Sequence, residues 1–323
     1  HRDLHSFPTR RSSDLTFEYF ASRQLTNELK IIADYTINRH YSEANASKDT
    51  YLTFLELFAK KQASLIAKWM GVGFIHGVMN TDNTSISGET IDYGPCAFMD
   101  NYDPSTVFSS IDRHGRYAFG NQPQIAQWNL ASLAGCLLPL IDNNEDKAKD
   151  SVSKIIEGFS GIVNSDISEV MCSKIGLNSN NEKSRESLKN LLALMKSSEA
   201  DYTLAFRYLG DYLNNENEPS FKELFTNKDE IEHWLLDWLE LINTEGNSKK
   251  SIIESMQTIN PIYIPRNHLV ERAIKAGVND GDYSVMLNLS LVLETPYKLQ
   301  EVDQDYMNPP QPSERVLQTF CGT

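Results

Sequence analysis

The chain has 323 residues, 40% of them hydrophobic, which is enough to bury one large core or two smaller ones. Its net charge is −14 and its one dense arginine pair is Arg10-Arg11, a composition that speaks against a nucleic-acid partner. No uninterrupted apolar run reaches the ~18 residues of a membrane span, and the N-terminus lacks the apolar core of a secretory signal, so no membrane partner is expected.

Residues 1–15 show no apolar period and carry three arginines, which sets them apart as a non-native leader. They open on His1-Arg2-Asp3-Leu4, the spelling of a protein-kinase catalytic loop. That loop needs an asparagine five residues after its aspartate, where this chain has Pro8. From residue 16 to 323 the sequence reads as one helical unit ending in an extended tail. A helix is predicted over 26–39, with Leu29, Ile32 and Tyr35 on one face. A stronger one spans 49–70, where Phe54, Phe58, Leu65 and Trp69 form a core stripe widened by Tyr51, Leu55 and Ile66. Ser47 or Asp49 can cap it.

Five glycines (Gly71, Gly73, Gly77, Gly88, Gly94) break the helical period over 71–95, and a small β-hairpin with its tip at Ser87-Gly88 is predicted there. Helical pattern returns after Pro123, with Ile125, Trp128, Leu133, Leu137 and Ile141 on one face. Further helices are expected near 147–160, 183–198, 201–213, 228–242, 267–276 and 282–293, some separated by asparagine-rich stretches. Pro309, Pro310 and Pro312 predict an extended tail. The fold class is therefore mainly α with one small β element. The four cysteines form no CxxC pair, and Cys136 and Cys172 read as reduced thiols of a cytoplasmic protein.

The chemistry concentrates in His76-Gly77-Val78-Met79-Asn80-Thr81-Asp82-Asn83 followed by Asp92-Tyr93-Gly94. Kinase-like phosphotransferases use a His-x-Asp loop with an asparagine five residues beyond that aspartate, then a hairpin and an Asp-x-Gly. The asparagine and second aspartate hold Mg²⁺, and the first aspartate is the base. Asn83 falls seven residues after His76, as the pattern requires, and Asp92 supplies the second metal position. The usual base position is Val78, which accepts no proton, and Asp82 is the loop's one carboxylate. With the turn centred on Ser87-Gly88, residue i faces 175 − i, so Asn83 would face Asp92. Opposed Cβ atoms in such a pair lie about 4.5–5.5 Å apart, a gap one Mg²⁺ with ligands at about 2.1 Å spans. A one-residue slip would turn one of the two away. Turn and cap chemistry is the competing account of Asp82-Asn83. His76 reads as a structural loop histidine and Asp112–Arg116 as a solvated turn that could instead touch phosphate. His40, His233 and His268 read as surface residues. No glycine-rich phosphate cradle with a lysine is found.

These strings resemble the selenoprotein O family of pseudokinase-fold protein adenylyltransferases. The resemblance rests on Phe74 through Asn83, Ile91 through Pro95, Gly115-Arg116-Tyr117, Asn121-Gln122-Pro123 and Trp128-Asn129-Leu130. Asn260-Pro261, Arg266-Asn267, Pro309-Pro310 and Cys321-Gly322-Thr323 also fit. It implies a protein-kinase-like C-terminal lobe with a helical extension, and transfer of AMP from ATP to Ser, Thr or Tyr hydroxyls of proteins with Mg²⁺ or Mn²⁺. Asp82 would be the proton acceptor, Asn83 and Asp92 the metal ligands, and Asp92 also a nucleotide contact. Cys321 occupies the family's redox position. Its partner in some bacterial relatives corresponds to the region of Phe108-Ser109, which has no cysteine here, leaving Cys96 as the nearest candidate. The family's N-terminal lobe, with its phosphate-binding lysine, has no match in this chain, so the chain by itself is expected to be inactive. A divergent protein kinase and a non-catalytic nucleotide-binding module are the alternative readings, and the bacterial cytoplasm is the expected location.

Overall fold

The computed structural model describes residues 14–301 and 304–320, so the greater part of the expected leader, and Cys321, lie outside the described residues. The first helix, α1 (Asp14–Ser22), crosses the boundary set at residue 15. It is followed by α2 (Thr26–His40), α3 (Thr50–Val72), the two-residue strands β1 (Phe74–Ile75) and β2 (Ala97–Phe98), and then α4 (Gln122–Ile141). The remainder is helical: α5 (Glu145–Lys174), α6 (Glu182–Ser197), α7 (Tyr202–Asn214), the single turn α8 (Ser220–Glu223), α9 (Lys228–Thr244), α10 (Lys249–Ile259), α11 (Asn267–Lys275) and α12 (Ser284–Leu293). A π-helical segment, Ala276–Asp280, follows α11.

Two large apolar cores meet along α5, and a small third cluster gathers Ile262, Tyr263 and Val292. One gathers α1 to α4 with the first half of α5, through Phe17, Phe54, Phe58, Leu130, Leu133 and Phe159. The other gathers the end of α5 with α6, α7, α9 and α10, through Met171, Leu191, Phe206, Trp234 and Trp238. Met70 of α3 and Ile167 of α5 pack against both. Trp234 and Trp238 stack at 5.7 Å between ring centroids. Their indole N–H groups donate to Ser187 O at 2.9 Å and Ile175 O at 2.8 Å, so both rings are buried without stranding a polar atom. The asparagine-rich joints do capping work. Asn144, Asn181 and Asn227 accept from main-chain N–H groups at the starts of α5, α6 and α9, as Asp201 and Ser248 do for α7 and α10.

The elements depart from their predicted faces in instructive places. The buried side of α2 is Leu29, Ala33, Thr36 and Ile37, and Tyr35 points outward at 46% exposure. On α4, Trp128 is 49% exposed while Ile125, Leu133 and Leu137 are buried. The helix predicted near 147–160 continues to Lys174, and α10 was not anticipated. His268, expected at the surface, is buried at 7% exposure. The segment Phe119–Ile141 is long and apolar enough to cross a bilayer by length and average composition, although polar residues such as Gln124, Gln127 and Asn129 interrupt its apolar run. Here it runs between α3 and α5 with Gln122 and Asn129 buried against the loop that follows β1.

Two buried cations are handled oppositely. Arg266, fully buried before α11, donates to Asp100 at 2.7 Å, to Asp201 at 2.8 Å and to Met307 O at 3.0 Å, tying β2, α7, α11 and the tail together. Lys174, at the end of α5, lies over the Phe206 ring at 4.4 Å, and among the described residues it has no carboxylate partner. Burial pushes its ammonium down to about 7. The charged form is thus disfavoured in the folded state. The penalty is full below about pH 7, and it vanishes as pH rises to the unfolded value of 10.5. Between those limits, thermal unfolding followed by circular dichroism should show stability rising with pH, and Lys174→Met should flatten that rise while raising Tm near pH 7.

Candidate active site

Between β1 and β2 the chain makes one excursion, residues 76–96, that carries the proposed chemistry. β1 and β2 pair antiparallel, Phe74 with Phe98 and Ile75 with Ala97, so the regular sheet lies at the base of the excursion. Its entry is set by two glycines. Gly73 ends α3 at φ 74°, where a Cβ would meet the Tyr202 ring at 2.9 Å. Gly77 turns the chain at φ 85°, where a Cβ would sit 2.8 Å from Pro95 O.

The predicted hairpin forms only as a single bridge, Thr84 with Thr90, closed by Gly88 N–H to Ser85 O at 3.1 Å. Those partners sum to 174 instead of 175, a slip of one residue from the expected register. Asn83 is therefore not the cross-strand partner of Asp92. It ends a 3₁₀ turn, Thr81–Asn83, and Asp92 sits in the left-handed region at φ 55°. Asparagine and aspartate tolerate that region better than other residues with a Cβ.

Beneath the loop, buried amides of α4 replace the missing ladder. Gln122 accepts from His76 N–H and donates to Phe74 O, both at 3.0 Å. Asn129 donates to Met79 O at 3.1 Å and Thr84 Oγ1 at 2.7 Å. Tyr117 donates its hydroxyl to Asn80 Oδ1. His76 is fully buried, its ring tilted against that of Trp69 at 5.4 Å between centroids, with Nε2 2.8 Å from Ile91 O. Burial pushes its imidazole down, so it stays neutral and Nε2 carries the proton donated to Ile91, one residue before Asp92. This is the structural loop role expected for it.

Above the loop the donor atoms are open. Asp82 and Asp92 are exposed, and among the described residues neither carboxylate has an ion pair or hydrogen bond. Asn83 commits Nδ2 to Val78 O at 2.9 Å, which turns Oδ1 to the other side. Val78, at 8% exposure, belongs to the buried side of the loop. Among the described residues no three His, Cys, Asp or Glu side chains gather into a metal cluster. Two carboxylates with one amide oxygen nevertheless suit a hard cation such as Mg²⁺ or Mn²⁺, which takes few protein ligands and fills its shell with water and phosphate oxygens.

Cys96 lies close by, half-buried, with its thiol donating to Tyr93 O at 3.1 Å. Burial, then the Asp92 charge, pushes that thiol up to about 11, so it stays protonated and weakly nucleophilic. Its expected partner Cys321 lies outside the described residues. Thr319, two residues earlier, donates Oγ1 to Pro95 O at 2.5 Å and pairs with Ser109 in a parallel bridge. The tail thus runs beside both Cys96 and the Phe108–Ser110 segment. A cleft of about 660 Å³ opens next to Tyr93 and Gly94, walled by Trp69, Phe98, Val270 and Phe320, and it includes none of the three donor residues.

Sequence reasoning placed Asp82, Asn83 and Asp92 on this loop but missed Gln122 and Asn129 as its supports. They stand seven residues apart inside an apolar stripe, two helical turns on one face, which was the available signal. The Asp112–Arg116 turn is exposed, as expected, with Asp112 accepting from the N–H groups of Arg116 and Tyr117.

The family model described as Protein adenylyltransferase SelO matches residues 15–294. The chain is 51% identical over 308 residues to the Protein nucleotidyltransferase YdiU of Maridesulfovibrio salexigens, and 48% identical over 309 residues to that of Rhizobium rhizogenes. The namesake of Bacillus mycoides is 47% identical over 308 residues. In each case the match covers 95% of this chain and 62% of the relative, so the chain spans about three-fifths of the length of the curated relatives it matches. The chain belongs to the protein adenylyltransferase SelO family.

The supports carry measurable energy. Asn129→Ala should strand Met79 O, leave the Thr84 hydroxyl with only its bond to Asn80 O, and lower unfolding free energy by about 1–3 kcal/mol in urea titrations. Gly77→Ala should cost at least as much, because strain at positive φ adds to the contact with Pro95 O.

Proposed function

We propose that the protein containing this chain transfers AMP from ATP to Ser, Thr or Tyr hydroxyls of protein substrates, with Mg²⁺ or Mn²⁺ bound. The observation that carries this reading is the polarity of the 76–92 loop. Its underside is satisfied by α4, while Asp82, Asn83 and Asp92 present uncommitted oxygen atoms outward. Family membership and the printed names of the relatives agree with it. On this reading residues 16–323 form a kinase-like C-terminal lobe with a helical extension.

Asp82 accepts the proton of the substrate hydroxyl. The freed oxygen attacks the α-phosphorus of ATP, the bond to the β-phosphate oxygen breaks, and pyrophosphate leaves. Asn83 and Asp92 would hold the metal, and Asp92 would also orient the nucleotide. When bound, the metal neutralises charge on the phosphates. Val78 at the usual kinase base position, buried and aprotic, is why transfer to hydroxyls is assigned to Asp82 and why γ-phosphoryl transfer is the weaker reading. The position of Thr319 beside Pro95 supports a Cys96–Cys321 redox tether as part of the proposal, which a mobility shift between reducing and non-reducing gels would register.

The test is label transfer by the full-length parent of this chain, supplied with ATP labelled at the α- or the γ-phosphate. Asp82→Ala and Asp92→Asn serve as controls, the latter because asparagine keeps the left-handed backbone at residue 92. Label from the α-position alone, lost by at least about 100-fold in Asp82→Ala, is expected for a missing general base. Label from the γ-position alone would make the protein a kinase. Label from neither position, with ATP still raising Tm, would leave a nucleotide-binding module.

A further inference from the structure

Arg116 is an exposed cation in a chain of net charge −14, and its surroundings hold it in place without neutralising it. Its guanidinium lies 4.9 Å from the centroid of the Trp128 ring and 5.7 Å from that of Tyr117. Among the described residues no carboxylate pairs with it. The acid nearest in sequence, Asp112, is turned instead to main-chain N–H groups, including that of Arg116 itself at 2.9 Å. Asn121 donates to Gly115 O at 2.7 Å and fixes the other end of the same turn. Trp128 is half exposed on a helix whose opposite face is buried core, so its indole is spent on the arginine. Arg113 adds a second exposed cation to the turn.

This pair sits one tyrosine ring away from the reacting loop. Tyr117, next to Arg116, donates its hydroxyl to Asn80, two residues before Asp82. An extended peptide advances about 3.3–3.6 Å per residue, so a side chain a few residues from the acceptor hydroxyl can span the length of one tyrosine. A guanidinium stacked on an indole loses little conformational freedom when it binds, and its fork matches a carboxylate in two hydrogen bonds.

We propose that Arg116, held on Trp128, is the specificity subsite that reads an acidic side chain a few residues from the acceptor hydroxyl of the protein substrate. The proposal rests on the reading of Asp82 as the proton acceptor, and it names the substrate class for that site: hydroxyl-bearing segments with a nearby Asp or Glu. The exposed rim of Trp128 packs on the stem of that acid.

The test uses fluorescein-labelled peptides that carry one tyrosine with Glu, Gln or Lys three residues away, titrated by fluorescence anisotropy into this chain. Wild type is compared with Arg116→Glu and Trp128→Ala, and circular dichroism confirms folding. Wild type should bind the Glu peptide about tenfold more tightly than the Lys peptide, and Arg116→Glu should invert that order. Trp128→Ala should shrink the preference. A merely structural role for Arg116 would weaken all three peptides alike. Equal affinities in wild type, or a preference for Glu that survives Arg116→Glu, would overturn the proposal. In the full-length parent the same charge swap should change KM for peptide and leave KM for ATP unchanged. A rise in KM for ATP alone would reassign Arg116 to the nucleotide phosphates and overturn it as well. If the peptide preference follows the charge swap but no AMP is transferred, the subsite stands and the adenylyltransferase reading fails.

Discussion

Two buried amides on α4 hold the candidate-site loop in place. Residues 76–83 have almost no ladder of their own, yet Phe74 O, His76 N–H and Met79 O are all shielded from water. Taking such groups out of water without partners would cost more than the loop's few apolar contacts return. Gln122 satisfies the first two and Asn129 the third, together with the Thr84 hydroxyl. One helix face therefore carries both the apolar core of the first half of the molecule and the matched polar contacts that shape the loop.

That arrangement separates structure from chemistry. Because the underside of the loop is fixed by neutral amides and by a neutral His76, the acids on its upper side have no structural duty. Asp82 and Asp92 are then exposed and, among the described residues, unpaired, an arrangement that gains little stability by itself and leaves their oxygen atoms open to a ligand. The contrast with Arg266 is direct. There two carboxylates and a main-chain carbonyl surround a buried guanidinium, and each charge is met by a protein partner. It works as a joint between β2, α7, α11 and the tail.

The helices after α4 form a second core that meets the first along α3 and α5. Tyr202 marks the meeting point. Its hydroxyl donates to Met70 O at 2.6 Å, its ring stacks on Tyr102 at 5.7 Å, and it limits residue 73 to glycine. The end of α3, where the chain turns into β1, thus rests on an element more than a hundred residues further along. These later helices consequently act on the loop from behind, through packing.

Much of this was legible in the chain. Helical periodicity located α2, α3, α4, α6, α7, α9, α11 and α12, because an amphipathic stripe is a local property repeated every turn. The spacing from His76 to Asn83 and on to Asp92 singled out the candidate loop, because it matches a pattern of fixed separations along the chain. What local pattern could not decide was which way particular side chains face. Trp128 fits the apolar stripe of α4 by spacing, yet it lies outside because Arg116 comes over it from a distant turn. The register of the short hairpin differed by one residue, since a single bridge between Thr84 and Thr90 leaves the pairing to Gly77, Pro95 and the α4 amides. Sequence alone singled out the residues to which the chemistry is assigned in the proposal, because their types and spacing are local. Only the tertiary structure decided how they are aimed, because the groups that aim them, Gln122, Asn129, Tyr117 and Tyr202, arrive from elements far along the chain.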